Sequence, residues 1–157
     1  MHIDIKYLAD HPEFAPKIAR WYFDEWGSEE PGGSVERTLA RLKSKLNRDQ
    51  APIPIVALAD GRLIGTAQLK IREMDIYPDR EFWLGGVYVA SAARGQGVAG
   101  RLVKRIEEIS KQLGIDTLFL QTKKLDGGLY ARLGWVVIEQ VNYHGAWVVV
   151  MRKDLRG

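Results

Sequence analysis

The segment that begins at Arg94 and ends at Gly100 has the residue types and spacing of a phosphate-binding turn. An apolar run that reads as a strand precedes it, and an amphipathic run that reads as a helix follows it. The first amide groups of a helix have no partner within the helix and carry partial positive charge, so a bound anion stabilises them. Glycines in the turn would let the backbone approach that anion closely. The segment therefore predicts a site for a phosphate-bearing ligand.

A pair of glycines, Gly85 and Gly86, interrupts the apolar strand that ends at Val89. Glycine weakens a strand, and its presence there usually indicates a bulge or the close approach of another backbone or a ligand. A bulge would separate this strand from its parallel neighbour at residues 117–122 and open a cleft beside the start of the helix. We expect an extended ligand to lie in that cleft and to hydrogen-bond to free strand amides.

The order of apolar runs and turn residues is typical of an α+β domain. Antiparallel strands are indicated by the hairpin signals Asp60-Gly61 and His144-Gly145, and one strand–helix–strand crossover joins residues 83–89 to residues 117–122. We predict a mixed, mostly antiparallel sheet of about seven strands, with one parallel strand pair splayed at the ligand site and helices on both faces. A single domain over residues 1–157 is expected.

Two kinds of phosphate-bearing ligand fit the turn. Gly95, Gly97 and Gly100 spell G-x-G-x-x-G, the pattern of a nicotinamide dinucleotide site. In such a site the first glycine follows its strand directly, near the start of a parallel sheet, whereas residues 90–94 intervene here and only one crossover unit is predicted. The dinucleotide interpretation is therefore disfavoured and is kept as an alternative.

Two motifs carry a resemblance to a known family. Residues 94–99, Arg-Gly-Gln-Gly-Val-Ala, match the signature [QR]-x-x-G-x-[GA] of the GNAT superfamily of acetyl-coenzyme A-dependent N-acetyltransferases. Residues 129–135, Leu-Tyr-Ala-Arg-Leu-Gly-Trp, are similar to that family's L-Y-x-[KR]-L-G-[FW] segment. The predicted order of elements also resembles the family fold from end to end.

The resemblance implies transfer of an acetyl group from acetyl-coenzyme A to a primary amine, by direct attack in a ternary complex and without an acyl-enzyme. It implies that Tyr130 is the general acid, since a phenol with a pKa of about 10 stays protonated at neutral pH. It implies that the pantetheine arm pairs with the backbone of Val87, Tyr88 and Val89, one of whose amides would stabilise the oxyanion. The pyrophosphate would bind the residues Arg94, Gly95, Gln96, Gly97, Val98, Ala99 and Gly100.

The general base and the acceptor are not given by the motifs. Gly85 and Gln121 stand at about the places where many members of the family carry a glutamate. We expect the proton to leave through water or through a loop carboxylate, for which the candidates are Glu29, Glu30, Asp79 and Glu81. Trp26, together with Glu29 and Glu30, is predicted to line the acceptor pocket, where the acidic pair would suit a cationic amine. Peptide amino termini, polyamines, aminoglycosides and small metabolite amines all stay open.

The composition excludes several classes of function. The net charge is +3, but Lys and Arg are interleaved with Asp and Glu, so we expect no nucleic-acid or membrane partner. The chain has no cysteine, which rules out disulfides, thiolate metal sites and cysteine nucleophiles. Its three histidines show no ligand spacing, so no metal is expected. No run could span a bilayer and no leader-like segment follows Met1, which favours the cytoplasm.

Two further interpretations accompany the enzymatic one. Because the strands lack a base candidate, the domain could instead be a non-catalytic module that binds acyl-coenzyme A and regulates a partner. The sequence also allows assembly as a homodimer. Turnover of acetyl-coenzyme A with an amine would separate the enzyme from the module.

Overall fold

A computed structural model of the chain describes residues 2–28 and 30–156 and is built around a seven-stranded mixed sheet. The strands follow the spatial order β1-β2-β3-β4-β5-β7-β6, and only β4 and β5 run parallel. Their bounds are β1 Ile3–Tyr7, β2 Ile53–Ala59, β3 Arg62–Ile71, β4 Phe82–Val89, β5 Thr117–Thr122, β6 Val136–Tyr143 and β7 Ala146–Asp154. The predicted α+β fold and strand number are confirmed.

The helices cover both faces of this sheet, as predicted. They are α1 Ala15–Tyr22, α2 Val35–Lys43, α3 Val98–Gln112 and α4 Gly128–Arg132, and a π-helical turn, Phe23–Gly27, continues α1. Alternate residues of β2 explain the two layers, because Ile55 and Ala57 pack in the core under α3 while Val56 and Leu58 pack in the core under α1 and α2. Within residues 2–28 and 30–156, every helix is too short or too polar to cross a bilayer.

Local sequence signals fix several of the element ends. Ser34 caps α2, because its Oγ accepts a hydrogen bond from the Arg37 amide at 3.0 Å. The hairpin turn at Asp60 and Gly61 has φ angles of 50° and 83°, as a two-residue type I′ connection requires. At its other end α2 stops at Lys43, where the Ser44 amide and hydroxyl bond to the Ala40 and Arg41 carbonyls of the last turn.

The predicted bulge in β4 is present. On β3, Thr66 pairs with Tyr88 and Gln68 pairs with Gly85, so the two intervening residues of β4 lie opposite a single residue of β3. Gly86 within the bulge has φ +60°, a conformation that favours glycine.

The predicted splay of β4 from β5 is also present. Trp83 and Phe119 form the one residue pair between these two strands, which are both fully described. Beyond that pair the strands have no common register, so the carboxyl-terminal half of β4 has a free edge towards β5. The bulge and the splay together position the candidate site.

Candidate functional site

The turn before α3 presents unpaired amide groups. Gly97, the residue before the helix, and Gly95 both have φ +79°. Arg101 is the first residue of the helix whose amide is bonded, to the Gly97 carbonyl at 3.2 Å. No amide of residues 95–100 donates to any described residue. A Cβ added at Gly95, Gly97 or Gly100 would meet no atom within 4 Å. The turn therefore exposes the unpaired amides of a helix N-terminus, and such amides favour a bound anion.

The two arginines beside the turn have different partners. The Arg94 Nε donates to the Val89 carbonyl at 3.0 Å, and its guanidinium lies 5.5 Å from the Tyr88 ring centre. Arg94 thus stays at the junction of β4 with the turn. The Arg101 Nη2 donates to the Ile3 carbonyl at 3.1 Å, so this side chain ties α3 to β1 instead.

The remaining residues of the predicted phosphate site lie in the turn and in the first turn of α3. Gln96 is exposed at the tip of the turn, while Val98 is buried as the first residue of α3. Ala99 and Gly100 complete the first helical turn and are partly exposed. These positions leave the backbone of the turn accessible while Val98 anchors it to the core.

A cavity of about 570 Å³ opens between the diverging strands and the two helices α1 and α2. It is lined by residues 85–87 of β4 on one side and by residues 120–123 on the other. Of the predicted site residues, Val87, Tyr130, Trp26 and Glu30 share this cavity. Tyr88, Val89 and the phosphate turn lie outside its lining, and the Tyr88 ring stacks on Trp21 at 4.9 Å. Glu29 lies outside the described residues.

Tyr22 holds the bulge from the side of α1. Its hydroxyl donates to the Gly86 carbonyl at 2.8 Å and accepts from Gln68 Nε2 at 3.2 Å. Burial raises the pKa of Tyr22 to about 12, so the phenol stays neutral. A Cβ at Gly86 would lie 2.7 Å from that hydroxyl oxygen, and glycine is therefore required there. The same network leaves Gln68 Oε1 buried without a donor among the described residues.

Glu73, which sequence reasoning missed, brings a carboxylate into the cavity. It follows β3, and its side chain is 19% exposed. A Cβ added at Gly85 would lie 2.8 Å from Glu73 Oε2, so the carboxylate occupies space that a β4 side chain would fill. Lys70 Nζ lies 3.2 Å from Oε2, but its hydrogen bond is directed to Oε1 at 3.4 Å. Among the described residues, Oε2 is thus buried without a directed donor.

The loop carboxylates proposed from the sequence have other surroundings. Asp79 and Glu81 do not line the cavity, and Glu81 lies 3.7 Å from the Arg72 guanidinium. Glu30 does line it and lies 3.7 Å from Arg41. Among the described acidic residues, only Glu30 and Glu73 reach the cavity wall.

Tyr130 has a fixed ring and a free hydroxyl. Its carbonyl accepts from the amides of Leu133 and Trp135, each at 3.0 Å, and its ring meets the Trp135 indole edge-on at 6.5 Å. Its hydroxyl makes no hydrogen bond to the part of the chain that is described. Burial raises the pKa of Tyr130, so the phenol is protonated at neutral pH. The side chain can therefore donate a hydrogen bond or a proton into the cavity.

No described residues assemble a group of three or more histidine, aspartate or glutamate side chains that could hold a metal ion. His144 lies at the β6–β7 turn with φ 50°, as the hairpin signal predicts. Its position at the tip of that hairpin is outside the cavity lining.

Several known proteins are similar to this chain in sequence or in fold. The model of the Acetyltransferase (GNAT) family matches residues 15–135. Aminoglycoside N(6')-acetyltransferase type 1 from Serratia marcescens is 31% identical over 121 residues, which cover 73% of this chain and 82% of that protein. An aminoglycoside 6'-N-acetyltransferase solved in complex with coenzyme A is similar with a TM-score of 0.76 at 18% identity, covering 100% and 98% of the two chains. An N-acetyltransferase from Staphylococcus aureus Mu50 is similar with a TM-score of 0.75 at 17% identity, covering 99% and 100%.

Proposed function

Because the chain belongs to the GNAT family of acetyltransferases, we propose that it transfers the acetyl group of acetyl-coenzyme A to a primary amine by direct attack in a ternary complex. The observation that carries this proposal is that a carboxylate, Glu73, and a protonated phenol, Tyr130, line one cavity. That cavity opens where β4 and β5 separate. A proton acceptor and a proton donor are the two groups that amide formation from a thioester requires.

The turn before α3 suits the diphosphate of coenzyme A. Its unpaired amides, its left-handed glycines and the open space around them support this assignment. The residues that would hold the diphosphate are Arg94, Gly95, Gln96, Gly97, Val98, Ala99 and Gly100. The free edge of β4 at Val87, Tyr88 and Val89 would pair with the amides of the pantetheine arm. The co-substrate supplies an activated acyl group as a thioester.

Glu73 is proposed to take the proton from the acceptor amine. Its carboxylate lies at the cavity wall beside the β4 bulge, and its ion pair with Lys70 holds it there. Gln68 Oε1, buried and without a donor, offers a second acceptor for an amine N–H. These two side chains support an amine as the group that enters this end of the cavity.

Tyr130 is proposed to protonate the departing sulfur. The amine nitrogen bonds to the carbonyl carbon, and the carbon–sulfur bond breaks. The proton of the nitrogen passes to Glu73 directly or through one water, and the sulfur takes the proton of Tyr130. Solvent then reprotonates Tyr130 and accepts the proton from Glu73. A β4 amide would donate to the carbonyl oxygen as negative charge develops on it.

Thiol release in the presence of acetyl-coenzyme A and a panel of primary amines tests the proposal. We expect free thiol and acetylated amine in equal amounts, with release that depends on the amine. Glu73→Gln and Tyr130→Phe should each lower kcat by about 10²-fold, because each removes one proton-transfer group, while affinity for coenzyme A is retained.

Two matched variants serve as controls. Glu81→Gln removes a nearby carboxylate that does not line the cavity, and Tyr143→Phe removes a hydroxyl that binds Asp75 outside it. Both should keep the wild-type rate. A wild-type protein that binds acetyl-coenzyme A yet acetylates no amine would contradict the proposed reaction.

A further inference from the structure

The cavity wall carries more positive than negative charge. Of its charged side chains in the described part of the chain, four are cations, Arg41, Lys45, Lys70 and Lys123, and two are carboxylates, Glu30 and Glu73. Each carboxylate already has a cation beside it. Lys70 lies 3.2 Å from Glu73, and Arg41 lies 3.7 Å from Glu30. The surplus therefore comes from cations that have no carboxylate within 4 Å among the described residues.

Lys45 is the half-buried member of this surplus. It follows the last turn of α2, where its amide donates to the Leu42 carbonyl at 3.0 Å. Burial lowers the pKa of its ammonium, and the like charges of Lys70 and Arg41 lower it further, whereas Glu73 acts in the opposite direction. A desolvated cation among other cations is unfavourable unless an anion joins it. The position thus favours a ligand that brings negative charge.

We infer that the acceptor is an amine whose molecule also carries an anionic group, a carboxylate or a phosphate, which Lys45 binds together with Arg41. The inference rests on the proposed acetyl transfer and names its acceptor class. The reacting amine would lie at Glu73, and the anionic group would lie towards α2. The distance of 3.7 Å between Arg41 and Glu30 is too long for a hydrogen bond. Exposed ion pairs of this kind are weak, so the Arg41 guanidinium can bind a ligand instead.

A polycationic acceptor would meet the opposite situation. Spermidine or an aminoglycoside brings several ammonium groups, and only one of them can occupy the Glu73 end of the cavity. The others would face Lys45 and Arg41, and like charges in a partly desolvated site oppose binding. The expectation that the acidic loop favours a cationic amine is weakened at Glu30, because Arg41 offsets its charge.

Matched acceptor pairs measure this preference. Each pair keeps the amine and changes only the charge of the second group: 6-aminohexanoate against 6-aminohexanamide, glycine against glycinamide, and glucosamine 6-phosphate against glucosamine. Spermidine and an aminoglycoside with a free 6'-amine complete the panel. We expect kcat/KM to be about tenfold higher for the anionic member of at least one pair, as one charge-assisted contact provides. Comparison of the two carboxylate pairs with the phosphate pair shows which of the two anionic groups is preferred.

Variants at Lys45 locate the preference. Lys45→Gln should remove the difference within the preferred pair, through a higher KM for the anionic member. Lys45→Arg should keep the difference, because it keeps the charge. Lys43→Gln is the matched control, since Lys43 is exposed on the same helix and does not line the cavity. Unchanged affinity for coenzyme A in each variant shows that the fold is intact.

Binding to the coenzyme A-loaded protein, followed by calorimetry with the same compounds, separates this inference from the proposed reaction. If the loaded protein binds anionic amines through Lys45 while no amine of the panel is acetylated, the anion-binding role of Lys45 is supported and the proposed reaction is contradicted. Equal kcat/KM within every pair would overturn the inference while leaving acetyl transfer intact. The inference would also be overturned if spermidine or the aminoglycoside were the best acceptor. It would be overturned as well if the coenzyme A-loaded protein bound no anionic amine.

Discussion

The carboxylate of Glu73 lies in the space that a side chain at Gly85 would occupy, with Oε2 2.8 Å from the position of a Cβ there. An acidic group thus reaches the middle of β4 from the segment after the neighbouring strand. Many members of the GNAT superfamily carry a glutamate at about position 85, where this chain has glycine. Here the carboxylate of Glu73 reaches the same region from another part of the chain. In the proposed reaction, the position of the base therefore depends on Gly85, a residue that has no side chain.

Gly85→Ala should separate activity from stability. The added methyl group must displace the Glu73 carboxylate and the Lys70 side chain, which lies 2.9 Å from the same position. Both side chains are flexible, so the change costs little folding energy but moves the proposed base. We expect kcat to fall at least about tenfold, as for a misplaced catalytic group, with the free energy of unfolding nearly unchanged. Steady-state kinetics and urea denaturation measure the two quantities.

A relocated carboxylate provides the positive control for that result. In the double variant that combines Glu73→Ala with Gly85→Glu, the carboxylate belongs to a residue of β4. Partial recovery of kcat relative to Glu73→Ala alone is expected. Full activity in Gly85→Ala, or in Glu73→Ala, would show that this carboxylate takes no part in the reaction.

Tyr22→Phe should change the stability of the protein at alkaline pH. Because burial raises the pKa of Tyr22 from 10.0 to about 12, the folded state keeps its proton where the unfolded state loses it. The stabilising contribution is complete below pH 10 and is lost as the pH rises towards 12, by roughly 2–3 kcal/mol. Urea denaturation between pH 9 and about pH 11.5 should show a steeper loss for the wild type than for the variant.

The same variant removes a hydrogen bond at neutral pH. Loss of the donor to the Gly86 carbonyl should cost about 1–2 kcal/mol and loosen the bulge. Parallel pH dependence in the two proteins would contradict the buried, neutral state of this phenol. Tyr7→Phe, which removes a hydroxyl that makes no hydrogen bond to the described residues, is the comparison variant.

Glu139→Gln should weaken the attachment of the loop before β4. Hydrogen bonds from Tyr77 and Arg80 lower the pKa of Glu139 below its ordinary value. Its contribution to stability is therefore present above the unfolded pKa of about 4.3 and is lost as the pH falls through the lower folded value. For a partly exposed group we expect less than about 1 kcal/mol.

The acid limb of the stability curve measures this effect. Chemical denaturation between pH 7 and about pH 3 should show a smaller acid-induced loss in Glu139→Gln than in the wild type. Glu25→Gln, a change at an exposed glutamate that forms no ion pair with the described residues, is the comparison variant. An identical acid limb in Glu139→Gln would contradict the lowered pKa.

Features set by a few neighbouring residues were predictable from the sequence. Ser34 caps its helix, Asp60 and Gly61 make their hairpin turn, and Gly86 marks a bulge, because each depends on local backbone chemistry. The splay between β4 and β5 followed from that bulge. The resemblance added the fold, and the family match agrees with it.

Features set by distant residues were not predictable. Glu73 follows Arg72, which adopts φ +46° after β3, and its carboxylate occupies room that a glycine on another strand leaves. The cations of α2 meet Lys70 only once two separate layers are packed together. Neither relationship has a periodicity or a motif along the chain.

Calorimetric titration of coenzyme A into the wild type, Gly100→Ala and Gly100→Glu tests the central claim that the turn before α3 binds the diphosphate. Position 100 has open space around its Cβ, and a glutamate in the first turn of a helix favours folding while its charge repels a diphosphate. We predict one-to-one binding to the wild type and to Gly100→Ala, and at least about tenfold weaker binding to Gly100→Glu with undiminished thermal stability. A wild type that does not bind coenzyme A, or equal affinity in all three proteins, would contradict the account.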